Sequence, residues 1–480
     1  MNLREPGAIL LVSCYELGHQ PLAVASPAGF LQRAGFAPAV LDIAVEPFDA
    51  AKATRAKLVG ISVPMHTALR LGVRVAERVR ELNPTAVICF YGLYAALNAD
   101  YLLEHGADYC IGGECETPLV ALAETLNGRM KDEGGRMKHD GDSHPSSFIL
   151  HPCPPGVIQR GGAAQPNLER LRFALPVREA LPTLDKYAWI EHKGQRRTVG
   201  YVEASRGCLH LCTHCPIPPV YDGRFFIIPE DIVLEDIRRQ VRGGASHITF
   251  GDPDFLNGPG HALSVARAMH AEFPNVTFDI TTKVEHILKR GAVLPELGKL
   301  GCLFLISAVE SVSNTVLEIL EKNHTKAQIE QAVKVVRAAG IAPRPTWVAF
   351  TPWTTLEDYL DMLAFVEGNQ LIDNVDPVQY TIRLLIPPNS YILKRPELKP
   401  HLGHLNQSAF SYTWTHPDPR MDRLHKEVNA LVEKDVHALE DPMVTFQRVW
   451  ALASGKSLST MVKPSPNRER APRLSEPWFC

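Results

Sequence analysis

Short, unbroken apolar runs recur through the first 130 residues: Ala8–Ser13, Pro38–Ile43, Leu58–Val63, Thr85–Gly92 and Asp108–Gly113. Runs of this length suit strands buried on both faces of a parallel sheet. Between them the apolar positions change to helical spacing. Leu71, Val75, Val79 and Leu82 share one face of a helix predicted over Ala68–Leu82, and further helices are expected after Pro21, Asn98 and Thr117. The alternation predicts an α/β, doubly wound, Rossmann-type domain over residues 1–130, with ligands at the C-terminal ends of its strands. From 131 to 195 the chain turns polar and proline-rich (KDEGGRMKHDGDSHPSS, then HPCPPG), which reads as a linker. A second strand–helix series follows over 196–400, with strands expected at Thr198–Ala204, His247–Gly251, Thr277–Thr281, Leu303–Ala308, Pro345–Phe350 and Gln379–Leu385. Six such units predict a (β/α)6 partial TIM barrel. Residues 401–480 read as a helical C-terminal extension, with helices over Met421–Lys434 and Met443–Leu452 and a flexible Pro/Arg/Ser tail.

Composition narrows the class. Apolar residues make up 45% and charged residues 21% of the 480, an ordinary globular balance that excludes fibrous and low-complexity classes. Fifty Lys and Arg against 53 Asp and Glu leave a net charge of −3, so no global field recruits nucleic acid or an anionic membrane. No apolar run approaches the roughly 18 residues of a membrane span, and the start MNLREPGAILLVS lacks the order of a signal peptide. The expectation is a cytoplasmic protein. There ten cysteines are too few for a disulfide scaffold, and clustered thiols are better read as metal or redox ligands.

Three of the ten do cluster: Cys208, Cys212 and Cys215 in SRGCLHLCTHC, at the end of a predicted strand. Gly207 permits a tight approach there, and Pro216 and Pro218 keep the loop from closing into a helix. Three thiolates leave one metal position open. A cubane iron–sulfur cluster held this way presents one iron to an exogenous group. The alternative is a zinc site completed by His210 or His214.

With these cysteines the sequence resembles the radical S-adenosylmethionine (SAM) superfamily, in which the open iron of a 4Fe–4S cluster is chelated by SAM and one-electron reduction cleaves the sulfonium. The resemblance implies that Cys208, Cys212 and Cys215 are the cluster ligands and that His214 stands near the adenine, where the family usually has an aromatic residue. In ITFGDPDF, Gly251, Asp252 and Asp254 stand where the family's glycine–glycine–glutamate motif meets the SAM ammonium; a turn rich in Asp and Pro is the other reading. LISAVES looks like the ribose and carboxylate contact, which implicates Ser307, Glu310 and Ser311, although Ser311 also suits a helix cap. Phe350-Thr351-Pro352 replaces the glycines of a further family segment, and Lys283 is either a solvated lysine or a substrate contact.

The N-terminal half is similar to the cobalamin-binding domain that precedes many radical SAM cores. FYGLYAALNADYLLEHGADYCIGGECET carries the likeness, with Gly92, Gly112, Gly113 and Glu114 at the family's positions. The Asp-x-His-x-x-Gly that would supply a lower cobalt ligand is missing, and His19 in SCYELGHQ is displaced from it. Either cobalamin binds without that ligand or the domain keeps the fold alone. The segments CTHCPIPPVYDGRF, FTPWTTLEDYLD, TIRLLIPPNS, HPDPRMD and SEPWFC look specifically like the "CUAEP/CCAEP-tail" radical SAM proteins. That likeness implies a reading frame continuing past Cys480 through UGA into Sec-Ala-Glu-Pro, against a plain terminus with one thiol. The implied function is a radical SAM enzyme acting on a small-molecule substrate, with a reductant such as a flavodoxin or ferredoxin. Cobalamin, if bound, points to methyl transfer, and its absence to hydrogen abstraction or aminocarboxypropyl transfer. The alternatives are a non-catalytic cobalamin or metal sensor and a structural zinc protein.

Overall fold

The computed structural model describes residues 2–133, 153–162, 165–456, 468 and 470–475. Cys480, and with it the expected tail, lies outside the described residues. The chain divides into two compact units, residues 1–187 with 407–410, and 188–406 with 411–480.

In the first unit, β1 (Ile9–Ser13), β2 (Ala39–Asp42), β3 (Leu58–Ser62), β4 (Val87–Tyr91), β5 (Tyr109–Ile111) and β6 (Val157–Ile158) form one sheet in the order β2-β1-β3-β4-β5-β6. The first five are parallel and β6 closes the edge antiparallel to β5. All residues of β1 and β3 are buried, as their continuous apolar sequences require. The order reverses between β1 and β3, the switch point where such sheets open a crevice at their C-terminal ends. The expected helices appear as Leu22–Arg33, His66–Leu82, Ala99–Glu104 and Glu116–Glu133.

The second unit carries a sheet in the order β14-β13-β12-β11-β8-β7-β17. Its members are β7 (Trp189–His192), β8 (Gln195–Val202), β11 (His247–Phe250), β12 (Thr277–Thr281), β13 (Cys302–Glu310), β14 (Ala342–Trp347) and β17 (Arg473–Leu474). From β8 to β14 the pairing is parallel, with helices between consecutive strands; β7 and β17 extend it antiparallel. Two antiparallel pairs stand apart: β9 (Ser205–Gly207) with β10 (Phe225–Ile227), and β15 (Leu402–Asn406) with β16 (Ser411–Trp414).

Two expectations need correction. The strand placed at Pro345–Phe350 begins earlier, at Ala342, because β14 is the edge of its sheet and tolerates Pro343 and Pro345. The strand placed at Gln379–Leu385 shrinks to a single parallel bridge between Phe350 and Arg383. Pro377–Tyr380 forms a 3-10 turn instead, and Gln379 Oε1 accepts the Trp347 N–H at 2.8 Å, a donor that a sixth strand would have used. The C-terminal helices run over Pro419–His437 and Pro442–Ser454, each started by an aspartate, Asp418 and Asp441, accepting a backbone N–H. Among the described residues no helix is long and apolar enough to cross a membrane.

Candidate active site

The three clustered cysteines occupy a loop framed by β9 and β10. Gly207 at its start has φ +73°, and a side chain there would strike the Arg224 carbonyl, which accepts the Cys208 N–H at 3.1 Å. Thr213 pins the far side. Its N–H and hydroxyl donate to Leu320 O at 3.1 Å and Ile319 O at 3.0 Å, while its carbonyl accepts from Ile392 N at 2.7 Å and Ser390 Oγ at 3.2 Å. Cys212 is buried, Cys208 and Cys215 are half-buried, and none is in a disulfide. Burial pushes the Cys208 thiol up to about 11 and the Cys215 thiol up to about 12, and the cysteines reinforce one another. Without metal the Cys208 and Cys215 thiols are neutral at pH 7, so loading must release protons. Neighbouring thiols, buried or half-buried on one pinned loop, suit a soft metal centre.

Two carboxylates follow at the end of β11. Asp252 is buried, and it accepts Ala204 N at 2.9 Å and Ser205 Oγ at 2.5 Å, bracing the base of the cysteine loop. Burial pushes its carboxyl up to about 7 against those hydrogen bonds. Gly251 packs flat on Tyr201, with no space for a side chain. Asp254 turns to a different set: Leu256 N at 3.0 Å and Thr282 Oγ1 at 2.6 Å on one oxygen, His286 Nδ1 at 2.8 Å and His210 Nε2 at 3.3 Å on the other. Burial works to raise the Asp254 carboxyl, but the two imidazoles and Thr282 more than offset it and hold it well below the usual range. Lys283 is not solvated. It is buried, with Nζ 3.3 Å from His210 Nδ1 and 3.5 Å from Glu285 Oε2.

At the end of β13 the register slips between Ala308 and Glu310, and Glu310 adopts φ +69°, a left-handed conformation rare for a residue with a side chain. Its Oε1 meets His214 Nε2 at 3.2 Å and Lys322 Nζ at 3.3 Å. Burial alone would raise Glu310, but Lys322 and then His214 bring it down to about 2. Lys322 is itself raised: burial opposes its charge, while Glu310, Cys212 and Cys215 favour it. Sequence reasoning passed over Lys322. Its signal is a lone cation in ILEKNHT, between an apolar helix end and the Thr325–Gln328 capping box that starts the next helix. Ser311 Oγ accepts Ser313 N at 3.1 Å, shaping the turn before the helix Asn314–Ile319. Ser307 does not join this group. It lies among Val284, Ile287, Leu305, Val309 and Ile329 on the helix-covered face of β13, because side chains alternate along a strand.

In the first unit, Gly92 follows β4, and Gly112 and Gly113 follow β5, at the C-terminal edge of the sheet. Gly113 has φ +71°, and the backbone of Asn167 occupies the place of its side chain. Asn167 also holds Glu114, accepting its N–H at 2.8 Å and donating Nδ2 to its carbonyl at 2.9 Å. His19 is buried in the loop after β1, with its N–H on Glu16 O at 2.9 Å. His66, at the start of its helix, brings Nε2 within 2.6 Å of Ala409 O.

Residues 202–366 match the model of the Radical SAM superfamily, and residues 8–123 that of the B12 binding domain. Among curated proteins the chain is 22% identical over 200 residues to a putative methylthiotransferase of Methanocaldococcus jannaschii, covering 38% of this chain and 42% of that protein. It is 22% identical over 323 residues to the anaerobic magnesium-protoporphyrin IX monomethyl ester cyclase of Synechocystis, covering 66% and 59%. The chain thus spans about half the length of these relatives. Among solved structures, the cobalamin-dependent radical enzyme OxsB with aqua-cobalamin and SAM bound aligns with TM-score 0.64 at 14% identity, covering 92% of this chain and 70% of that one. The methyltransferase TsrM from Kitasatospora setae aligns with TM-score 0.59 at 17% identity, covering 80% and 75%. At such identities the likeness concerns the fold. The chain thus joins a B12-binding domain over residues 8–123 to a radical SAM domain over residues 202–366.

Proposed function

We propose that the protein is a cobalamin-using radical SAM enzyme that transfers a methyl group to a small-molecule substrate, with electrons from a flavodoxin or ferredoxin. The observation that carries this reading is the pinned, disulfide-free cysteine loop with the buried Lys322 beside it. Cys208, Cys212 and Cys215 would hold a 4Fe–4S cluster. When bound, the cluster and SAM supply reductive cleavage of a sulfonium bond, and cobalamin supplies a methyl carrier.

The residues around the loop have definable work. Asp252 and Thr213 fix the loop at its base and its tip, so the thiols do not have to be gathered when metal arrives. The Lys322 ammonium offsets negative charge as the thiols ionise. Glu310, Ser311 and Lys322 would hold the nucleoside and amino-acid ends of SAM, and His214 would lie against its adenine. In the first unit, Gly92, Gly112, Gly113 and Glu114 form the turns that would admit cobalamin, without a histidine supplied by an Asp-x-His-x-x-Gly motif.

Anaerobic purification tests the reading. Wild type should be brown, with about four irons and matching sulfide per chain, and Cys212→Ala should lose the colour. Under strong reductant, SAM should be consumed with release of 5′-deoxyadenosine or S-adenosylhomocysteine. A colourless, zinc-loaded chain would make the loop a structural zinc site, and a brown chain that leaves SAM intact would favour a sensor.

A further inference from the structure

We propose that His210, Asp254 and His286 form a second, mononuclear site for a divalent transition metal such as Zn2+ or Fe2+, separate from the cysteine-held centre. The three side chains come from different parts of the barrel: the cysteine loop, the turn after β11 and the helix Val284–Arg290 after β12. One ligand atom from each lies within 4.8 Å of the others. The site is buried, with the side chains of Asp254 and His286 only 1% and 5% exposed.

Distances alone suggest hydrogen bonds, but the angles do not. His286 Nδ1 is 2.8 Å from Asp254 Oδ2, yet it has no hydrogen-bond partner, and neither has His210 Nε2. Two buried imidazole nitrogens without partners converge on one carboxylate oxygen, an arrangement a cation would satisfy. Asp254 is prepared for it, because Leu256 N and Thr282 Oγ1 occupy its other oxygen and fix the carboxylate plane. Behind His210, Nδ1 faces Lys283 Nζ at 3.3 Å and Glu285 Oε2 at 3.6 Å, and with metal on Nε2 the Nδ1 proton would turn to the Glu285 carboxylate, whose Oε2 is buried without a hydrogen bond. Lys283 balances the Glu285 charge. Two imidazoles and one carboxylate select a borderline metal and leave coordination positions open. Metal here would tie the cysteine loop to the ends of β11 and β12.

The test uses the full chain with its iron–sulfur centre loaded, and Zn2+ as probe. Equilibrium dialysis with metal analysis should find one zinc beyond the iron matched by sulfide. His286→Ala and Asp254→Asn should abolish that zinc while iron and sulfide are unchanged; Cys212→Ala should lose iron and keep the zinc. Glu285→Gln should weaken zinc binding about tenfold. X-ray absorption at the zinc edge of wild type should show nitrogen and oxygen ligands, and this decides the matter if His286→Ala fails to fold. Absence of the extra zinc, its persistence in a folded His286→Ala, or sulfur in its coordination would overturn the proposal. Iron, sulfide and SAM consumption are read separately, so failure here leaves the proposed function standing.

Discussion

Asp254 and Glu310 stand at the ends of β11 and β13, and each is met by a histidine from the same cysteine loop: His210 at 3.3 Å from the first, His214 at 3.2 Å from the second. The third partner differs. Glu310 has the ammonium of Lys322, a permanent charge that closes the ion pair, whereas Asp254 has a second imidazole, which can share a proton or bind a metal. One carboxylate is neutralised by the chain itself. The other gathers donors whose nitrogens go without hydrogen bonds. The two histidines flank Cys212, so the loop is held on either side by different chemistry, and the two sides should answer differently to the same kind of substitution.

The largest effect is expected at Lys322. Lys322→Met strands Glu310 as a buried, uncompensated charge and should cost about 3–5 kcal/mol of stability in the metal-free chain, read by anaerobic urea unfolding, while Lys322→Arg should recover most of it. Asp254→Asn removes one charge from a set that lacks a permanent cation in direct contact, and should cost about 1–3 kcal/mol. A larger loss in Asp254→Asn than in Lys322→Met would break the comparison. Added Zn2+ should raise the melting temperature of wild type and leave that of Asp254→Asn unchanged.

Acid and base sharpen the same contrast. Glu310 is held at about 2, below its ordinary value of 4.5, so its contribution is present above the ordinary value and is lost as pH falls toward 2. Asp252 runs the opposite way. Its folded value of about 7 exceeds the ordinary 3.8, so its contribution is greatest at low pH and is lost as pH rises through that interval. Asp252→Asn should therefore flatten the decline in urea midpoint across that interval, and an unchanged slope would mean that Asp252 ionises freely in the folded chain.

The cysteine loop, Gly207, Asp254 and Glu310 were legible in the sequence because each belongs to a local motif at a strand end. Their partners were not. His286 is 32 residues from Asp254, and the parallel pairing of β11 with β12 brings them together; Lys322 is 12 from Glu310 and returns to it across the helix Asn314–Ile319. Strand ends were read less well where proline or a side chain competes for backbone partners: Pro343 and Pro345 concealed the start of β14, and the side chain of Gln379 took the place of a sixth strand. Ser307 shows a different limit. LISAVES reads as one motif, but the pleat sends Ser307 to the face it shares with Leu305 and Val309, while Glu310 falls three residues on, past the register shift, on the side of the site.

Ser307 therefore gives the smallest and most discriminating effect. Its hydroxyl is buried among apolar side chains and has no hydrogen-bond partner, so it is desolvated without compensation. Ser307→Ala removes that penalty at almost no change in volume, and it should leave stability unchanged or raise it by about 1 kcal/mol. SAM binding to the loaded enzyme, measured by equilibrium dialysis, should be unaltered, whereas Glu310→Gln should weaken it. Weaker SAM binding in Ser307→Ala would mean that the hydroxyl reaches the ligand from the helix-covered face of β13, and the division of this strand into an inner functional side and an outer packing side would then fail.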